Sequence, residues 1–206
     1  MIAIIDYGVG NLFSLERSFE SIGAEVAVTA DPEVICEAEK IVLPGVGAFG
    51  DARRKLAQTG MDKLILQEAK KGKPVMGICL GMQLLFEKSY EYGEHEGLGL
   101  IKGVVKPIKD AVTPEYKIPH IGWNNLDIKN KDGLFKGIDG SPYVYFVHSY
   151  YLDAKDKGIV TSQTNYGTII DASVQKGNVF ATQFHPEKSG EVGLKMLKNF
   201  ADIVKG

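Results

Sequence analysis

At 206 residues, with 44% hydrophobic and 24% charged side chains and a formal net charge of -2, the chain has the composition of a folded globular protein. That balance excludes a disordered tail and a basic nucleic-acid-binding surface, and no apolar run approaches the roughly 20 residues that a bilayer demands. Two cysteines, Cys36 and Cys79, and an opening directly on the strand-like run Met1–Ile5 lead us to expect a single domain over residues 1–206 in the reducing cytoplasm.

Met1–Asp6 is a continuous apolar run ending in an acid, and Leu12, Leu15, Phe19 and Ile22 follow at helical spacing, so a βα unit opens the chain. Gly8 and Gly10 start a dinucleotide-type fingerprint, but its third glycine and its acidic partner are missing, which argues against a Rossmann cofactor site. Glu25–Thr29 alternates as a second strand, a short helix follows Asp31 and Pro32, and Ile41–Leu43 makes a third strand. Cys36 falls in that short helix without a His or Cys partner and is read as structural. Next comes Pro44-Gly45-Val46-Gly47-Ala48-Phe49-Gly50, a loop whose glycines allow N–H groups to be presented to an anion. Met61–Lys71 is amphipathic and completes a crossover. The β-α-β alternation therefore predicts a parallel central sheet, with ligands at its carboxyl edge.

Pro74–Phe86 reads as a short buried strand that turns sharply into a helix, with Cys79 on the turn. Gly77-x-Cys79-x-Gly81 is the thiol counterpart of the G-x-S-x-G nucleophile elbow, which makes the Leu80 N–H an oxyanion donor. Free N–H groups at the start of the helix favour thiolate at such a position. Glu91–Gly99 is polar, and His95 within it is expected to do no more than meet solvent. Short alternating segments at Ile101–Ile108, Ile121–Ile128, Tyr143–Val147, Ile159–Thr164 and Thr168–Val174 predict antiparallel additions. Val179–Phe184 is a further buried strand that runs into His185-Pro186-Glu187-Lys188-Ser189, and Val192, Leu194, Met196, Leu197 and Phe200 mark a closing helix. In an extended segment His185 and Glu187 face one way, as a base and the acid that orients it. His148 is the competing base and lacks an acid two residues on.

The Gly77–Gln83 elbow with a later His185-Pro186-Glu187 resembles the class I glutamine amidotransferases. Within them, the Pro44–Gly50 loop, Pro119-His120-Ile121-Gly122-Trp123-Asn124, Tyr145–Tyr150 and His185–Ser189 resemble the glutaminase subunits of imidazole glycerol phosphate synthases, over essentially the whole chain. The resemblance implies an α/β, flavodoxin-like fold: a mostly parallel sheet flanked by helices, with antiparallel additions. It implies a Cys79-His185-Glu187 triad that hydrolyses glutamine to glutamate and ammonia without metal or cofactor. Val46 would supply the second oxyanion N–H after a peptide reorientation permitted by Gly45 and Gly47. Gln83 and the backbone of Ser149 and Tyr150 would recognise glutamine beside that loop. Asn11, His120, Trp123 and Lys188 would face a separate (β/α)8-barrel synthase of histidine biosynthesis, forming a heterodimer. Three other readings stand beside it: a glutaminase serving another acceptor, such as that of anthranilate synthase; a catalytically silent regulatory subunit; and a Cys-dependent hydrolase. The Trp123 and Lys188 motifs argue against the first, and the intact triad against the second.

Overall fold

The computed structural model describes residues 1–204. The chain begins with β1 (Ile2–Ile5), buried throughout, and α1 (Leu12–Ser21), which lays Leu15 and Phe19 against the sheet. β2 (Val26–Thr29) leads to α2 (Pro32–Glu37), started by Pro32 and by the Asp31 side chain accepting from the Glu33 N–H at 2.9 Å. After β3 (Lys40–Leu43) come α3 (Phe49–Thr59), which the sequence reading had not separated out, and α4 (Met61–Lys70), joined through a left-handed Gly60. β4 (Val75–Ile78) then meets α5 (Leu80–Leu84) at Cys79.

The next part of the chain forms β5 (Phe86–Ser89), β6 (His95–Glu96), β7 (Ile101–Pro107), β8 (His120–Asn125), β9 (Asp127–Ile128), β10 (Tyr143–His148) and β11 (Tyr150–Ala154). The last elements are β12 (Val160–Asn165), β13 (Ile169–Lys176), β14 (Val179–Thr182) and α6 (Gly190–Ala201).

The main sheet has the order β2-β1-β3-β4-β14-β13-β12-β9. Its first five strands are mutually parallel and its last three antiparallel. Its inner parallel strands, β1, β3, β4 and β14, are buried at every position and read as largely apolar runs because both their faces are covered, whereas edge strand β2 is only half-buried. Alternation along β1 shows this: Ala3 and Ile5 join the core under α2–α5, whereas Ile2 and Ile4 join the core under α1 and α6. The hairpin β8–β10 and the sheet β11-β7-β5-β6 pack beside this frame. Among the described residues no helix is long and apolar enough to cross a membrane.

Three expectations change. The elbow helix ends at Leu84, because Phe86 already pairs with Ile101 in a parallel ladder. The segment Ile121–Ile128 is two strands, parted where Leu126 turns into the core. His95 is not merely solvated: it packs on Gly50, whose missing Cβ would lie 2.8 Å from His95 Cε1.

Candidate active site

Cys79 adopts φ 55° and ψ −112°, a strained backbone conformation for a residue with a side chain. Its surroundings force the turn. A Cβ on Gly81 would stand 1.8 Å from the carbonyl oxygen of Leu43, and one on Gly77 would stand 2.7 Å from Leu85 Cδ1 and 2.8 Å from the Gly81 oxygen. The two flanking glycines thus let α5 pack directly on β3 and β4, which leaves the cysteine at the carboxyl edge of the sheet. The Cys79 N–H donates to Thr182 O at 2.7 Å, tying the elbow to β14. Leu80, as the first helical residue, has no intrahelical acceptor for its N–H.

β14 delivers the second group. His185 donates its backbone N–H to Tyr145 O at 2.9 Å, and its Nδ1 lies 2.7 Å from Glu187 Oε1, with both side chains buried. The pair forms across a 3₁₀ turn over Pro186–Lys188 rather than along an extended segment. His185 Nε2 is buried and has no hydrogen-bond partner among the described residues. Burial pushes the imidazole pKa down, but the charge of neighbouring Cys79 and the hydrogen bond and charge of Glu187 outweigh it and raise the value to about 10. At neutral pH the imidazole holds its proton, beside the sulfur.

His148 lines the same pocket with both nitrogens engaged: Nδ1 lies 2.8 Å from Tyr150 O and Nε2 lies 3.0 Å from His120 Nδ1. Burial, reinforced by its histidine neighbours against the pull of the Tyr150 carbonyl, lowers its pKa to about 3. It offers no free nitrogen to a reacting group.

The pocket between these residues has a volume of about 270 Å³ and counts Val46 and Gly47 among its lining residues. Gln83 is buried, with Nε2 donating to Gln183 Oε1 at 3.0 Å and lying 3.5 Å from Tyr150 O. Ser149 and Tyr150 form part of the wall. Three further residues belong to the site and escaped the sequence reading. Gln183 Nε2 donates to Cys79 Sγ at 3.7 Å. Glu91 brings a carboxylate to the wall, its pKa raised by burial, and accepts from the Phe49 N–H at 2.5 Å. Tyr7, buried under the loop, donates its hydroxyl to Pro44 O at 2.8 Å. Gly45 is equally confined, since a Cβ there would stand 2.9 Å from Gly81 N and 3.0 Å from Tyr7 Oη. Gly47, by contrast, has φ 91° and open space around it. The loop is pinned at Pro44–Gly45 and again at Phe49, with Gly47 unobstructed between them.

Of the residues assigned to a partner, Trp123 is 56% exposed and Ile121 beside it 58%. Trp123 meets the Tyr145 ring edge-on, and exposed Lys188 places Nζ 5.8 Å from the centre of that ring. Asn11 is half-buried at the start of α1. His120 is different: only 3% exposed, it stacks between Phe146 and Tyr166 and offers no surface contact.

A family profile described as Glutamine amidotransferase class-I matches residues 3–204. The "Imidazole glycerol phosphate synthase subunit HisH" of Caldanaerobacter subterraneus subsp. tengcongensis is 52% identical over 205 residues, covering 100% of this chain and 99% of that protein. The protein of the same description from Aquifex aeolicus is 50% identical, over 96% of this chain and 94% of its own. Among solved structures, one described as a glutamine amidotransferase superposes with a TM-score of 0.77 at 17% identity, covering 98% of this chain and 100% of that one. PurLQS from Thermotoga maritima gives 0.74 at 23% identity, over 97% and 96%. At such identities these two show a shared fold.

Proposed function

The chain belongs to the HisH family of class I glutamine amidotransferases, and from that premise we propose that Cys79, His185 and Glu187 form its catalytic triad and supply ammonia to a synthase subunit. One observation carries the reading: a strained, pocket-facing Cys79 stands with an imidazole whose Nε2 is free and whose Nδ1 is held by a buried carboxylate. Cys79 sulfur attacks the side-chain amide carbon of glutamine, forming a C–S bond. The developing oxyanion takes hydrogen bonds from Leu80 N–H and, after the loop reorients, Val46 N–H. His185 gives its Nε2 proton to the leaving nitrogen, and ammonia departs from the thioester. The same imidazole then takes a proton from water, whose oxygen displaces the sulfur to give glutamate. Glu187 fixes the ring throughout. The Glu91 carboxylate complements the α-ammonium of glutamine, while Gln83 and Gln183 brace the floor.

The acceptor is a (β/α)8-barrel synthase, joined in a heterodimer, where ammonia and a phosphoribulosyl formimino carboxamide nucleotide yield imidazole glycerol phosphate, for histidine biosynthesis, and an aminoimidazole carboxamide ribonucleotide. Exposed Trp123 and Ile121, with Lys188 over the Tyr145 ring that Trp123 also meets, support a docking face there, to which we add Asn11. Two apolar cores sharing one sheet support a single domain over residues 1–206, and two free thiols fit a cytoplasmic setting.

The test mixes the purified chain with its synthase, nucleotide and glutamine: one glutamate should appear per imidazole glycerol phosphate. Product without glutamate, or glutamate unrelated to product, rejects the assignment. In the same complex His185→Asn is expected to slow glutamate release by at least about 10²-fold, the scale of lost general acid–base catalysis. His148→Asn should slow it far less. Equal losses at unchanged glutamine binding would transfer the role to His148.

A further inference from the structure

Two buried imidazoles, His120 and His148, stand outside the triad and bond to each other at 3.0 Å. Each hydrogen in this contact can be placed from its neighbours. The Tyr150 carbonyl accepts only, so the atom 2.8 Å from it, His148 Nδ1, carries a proton. In a neutral ring His148 Nε2 is then bare and accepts, which requires the proton of His120 to sit on Nδ1. His120 Nε2 is bare in turn and faces the Asn124 amide nitrogen at 3.5 Å. That end of the amide is the NH₂, because Asn124 Oδ1 accepts from the Asn125 N–H at 2.9 Å and Nδ2 donates to Asn165 O at 2.9 Å. Burial keeps both rings neutral, with pKa values lowered to about 4 for His120 and about 3 for His148. Along the chain from Asn124 through His120 and His148 to the Tyr150 carbonyl, each donor points onward from β8 toward the pocket.

The starting strand is the one that shows Trp123 to the outside. Period-two alternation on β8 turns Ile121 and Trp123 outward and His120 and Asn124 inward. We propose that His120 and Asn124 are positioning residues that act through His148 to hold the Tyr150 carbonyl at the glutamine pocket, joining the Trp123 strand to the pocket wall by one directional hydrogen-bond chain. A partner that shifts β8 thereby shifts the carbonyl that Gln83 also approaches, at 3.5 Å. Its effect on glutamine rests on the glutaminase reading. The direction of the chain does not.

Nitrogen-15 imidazole spectra of the full-length chain at neutral pH decide the direction. His120 and His148 should both be neutral with the proton on Nδ1, the minority form of imidazole in water; a proton on Nε2 of either ring, or a charged ring, overturns the proposal. Two variants, assayed in the complex with the synthase, decide the consequence. His120→Phe keeps an aromatic ring between Phe146 and Tyr166 but has no donor for His148, and should raise KM for glutamine about tenfold, the scale of a lost buried hydrogen bond. Its kcat should stay within about twofold, since no group acting on the reacting atoms has changed. His120→Asn loses the stack but puts an amide N–H where Nδ1 stood, and should keep KM near wild type even as Tm falls. The reverse order, with His120→Asn impaired in KM and His120→Phe normal, means that the ring acts by packing alone and overturns the proposal. Should the wild-type complex release no glutamate at all, the glutaminase reading fails, while the spectra still judge the chain.

Discussion

Cys79→Ala is expected to abolish glutamine-dependent synthesis in the assembled complex, by about 10⁴-fold or more, while synthesis from added ammonium salts continues at its normal rate. The asymmetry follows from geometry. Only sulfur is removed, the Cβ that the elbow already accommodates at φ 55° stays, and no new contact arises at β3, β4 or β14. Docking of the synthase and the nucleotide chemistry on it never need the thiol. Residual glutamate release would have to come from water attacking directly in a site that still offers oxyanion donors. Measuring product formation from glutamine and from ammonium chloride, in one folded complex, checks both halves; loss of both activities would mean that Cys79 is not a dedicated ammonia-releasing nucleophile.

The isolated chain should hydrolyse glutamine barely at all, and the synthase carrying its nucleotide should raise the rate by about 10³-fold, a change of roughly 4 kcal/mol in the barrier. One oxyanion donor supplies that much. The unevenly held loop shows where such a donor can be switched. Tyr7 grips Pro44 and Gly45 lies against the elbow, whereas half-exposed Val46, beside the unobstructed Gly47, is free to turn. Glutamate release is to be timed for the chain alone, with the synthase, and with the synthase plus nucleotide. Full activity in the chain alone would leave no task for a gate. Gly47→Pro, which cannot reach φ 91°, should blunt the rise.

The inner parallel strands were legible because burial on both faces leaves largely apolar runs, and the elbow was legible because its two glycines answer to backbone atoms only 1.8 to 2.8 Å from their missing side chains. The length of α5 was not. Leu84, Leu85 and Phe86 are all apolar, so periodicity cannot mark where helix yields to strand; that boundary is set from afar by Gly97, whose Cβ would stand 2.0 Å from the Phe86 oxygen. Glu91 lies in a polar stretch with nothing local to mark it, since its burial arises when the loop closes over the Phe49 N–H. Gln183 reads as one more position of an apolar strand, though a lone amide in such a run is itself a signal. The burial of His120 could have been read: in a strand, residues three apart face opposite ways, so His120 and Trp123 cannot share a surface.

The hydrogen bond from Tyr7 to Pro44 also decides how much disorder the response has to overcome. Ordering one residue's backbone costs about 1–2 kcal/mol, so a loop loose over four residues would consume all that a single donor returns. With Pro44 already held and the Gly45 Cα packed on the elbow, the motion is confined to the Gly45–Val46 peptide, turning about Gly45 ψ and Val46 φ, and most of that entropy has been lost during folding. A crank with two torsions, rather than a flap, can answer the synthase reversibly within each catalytic cycle.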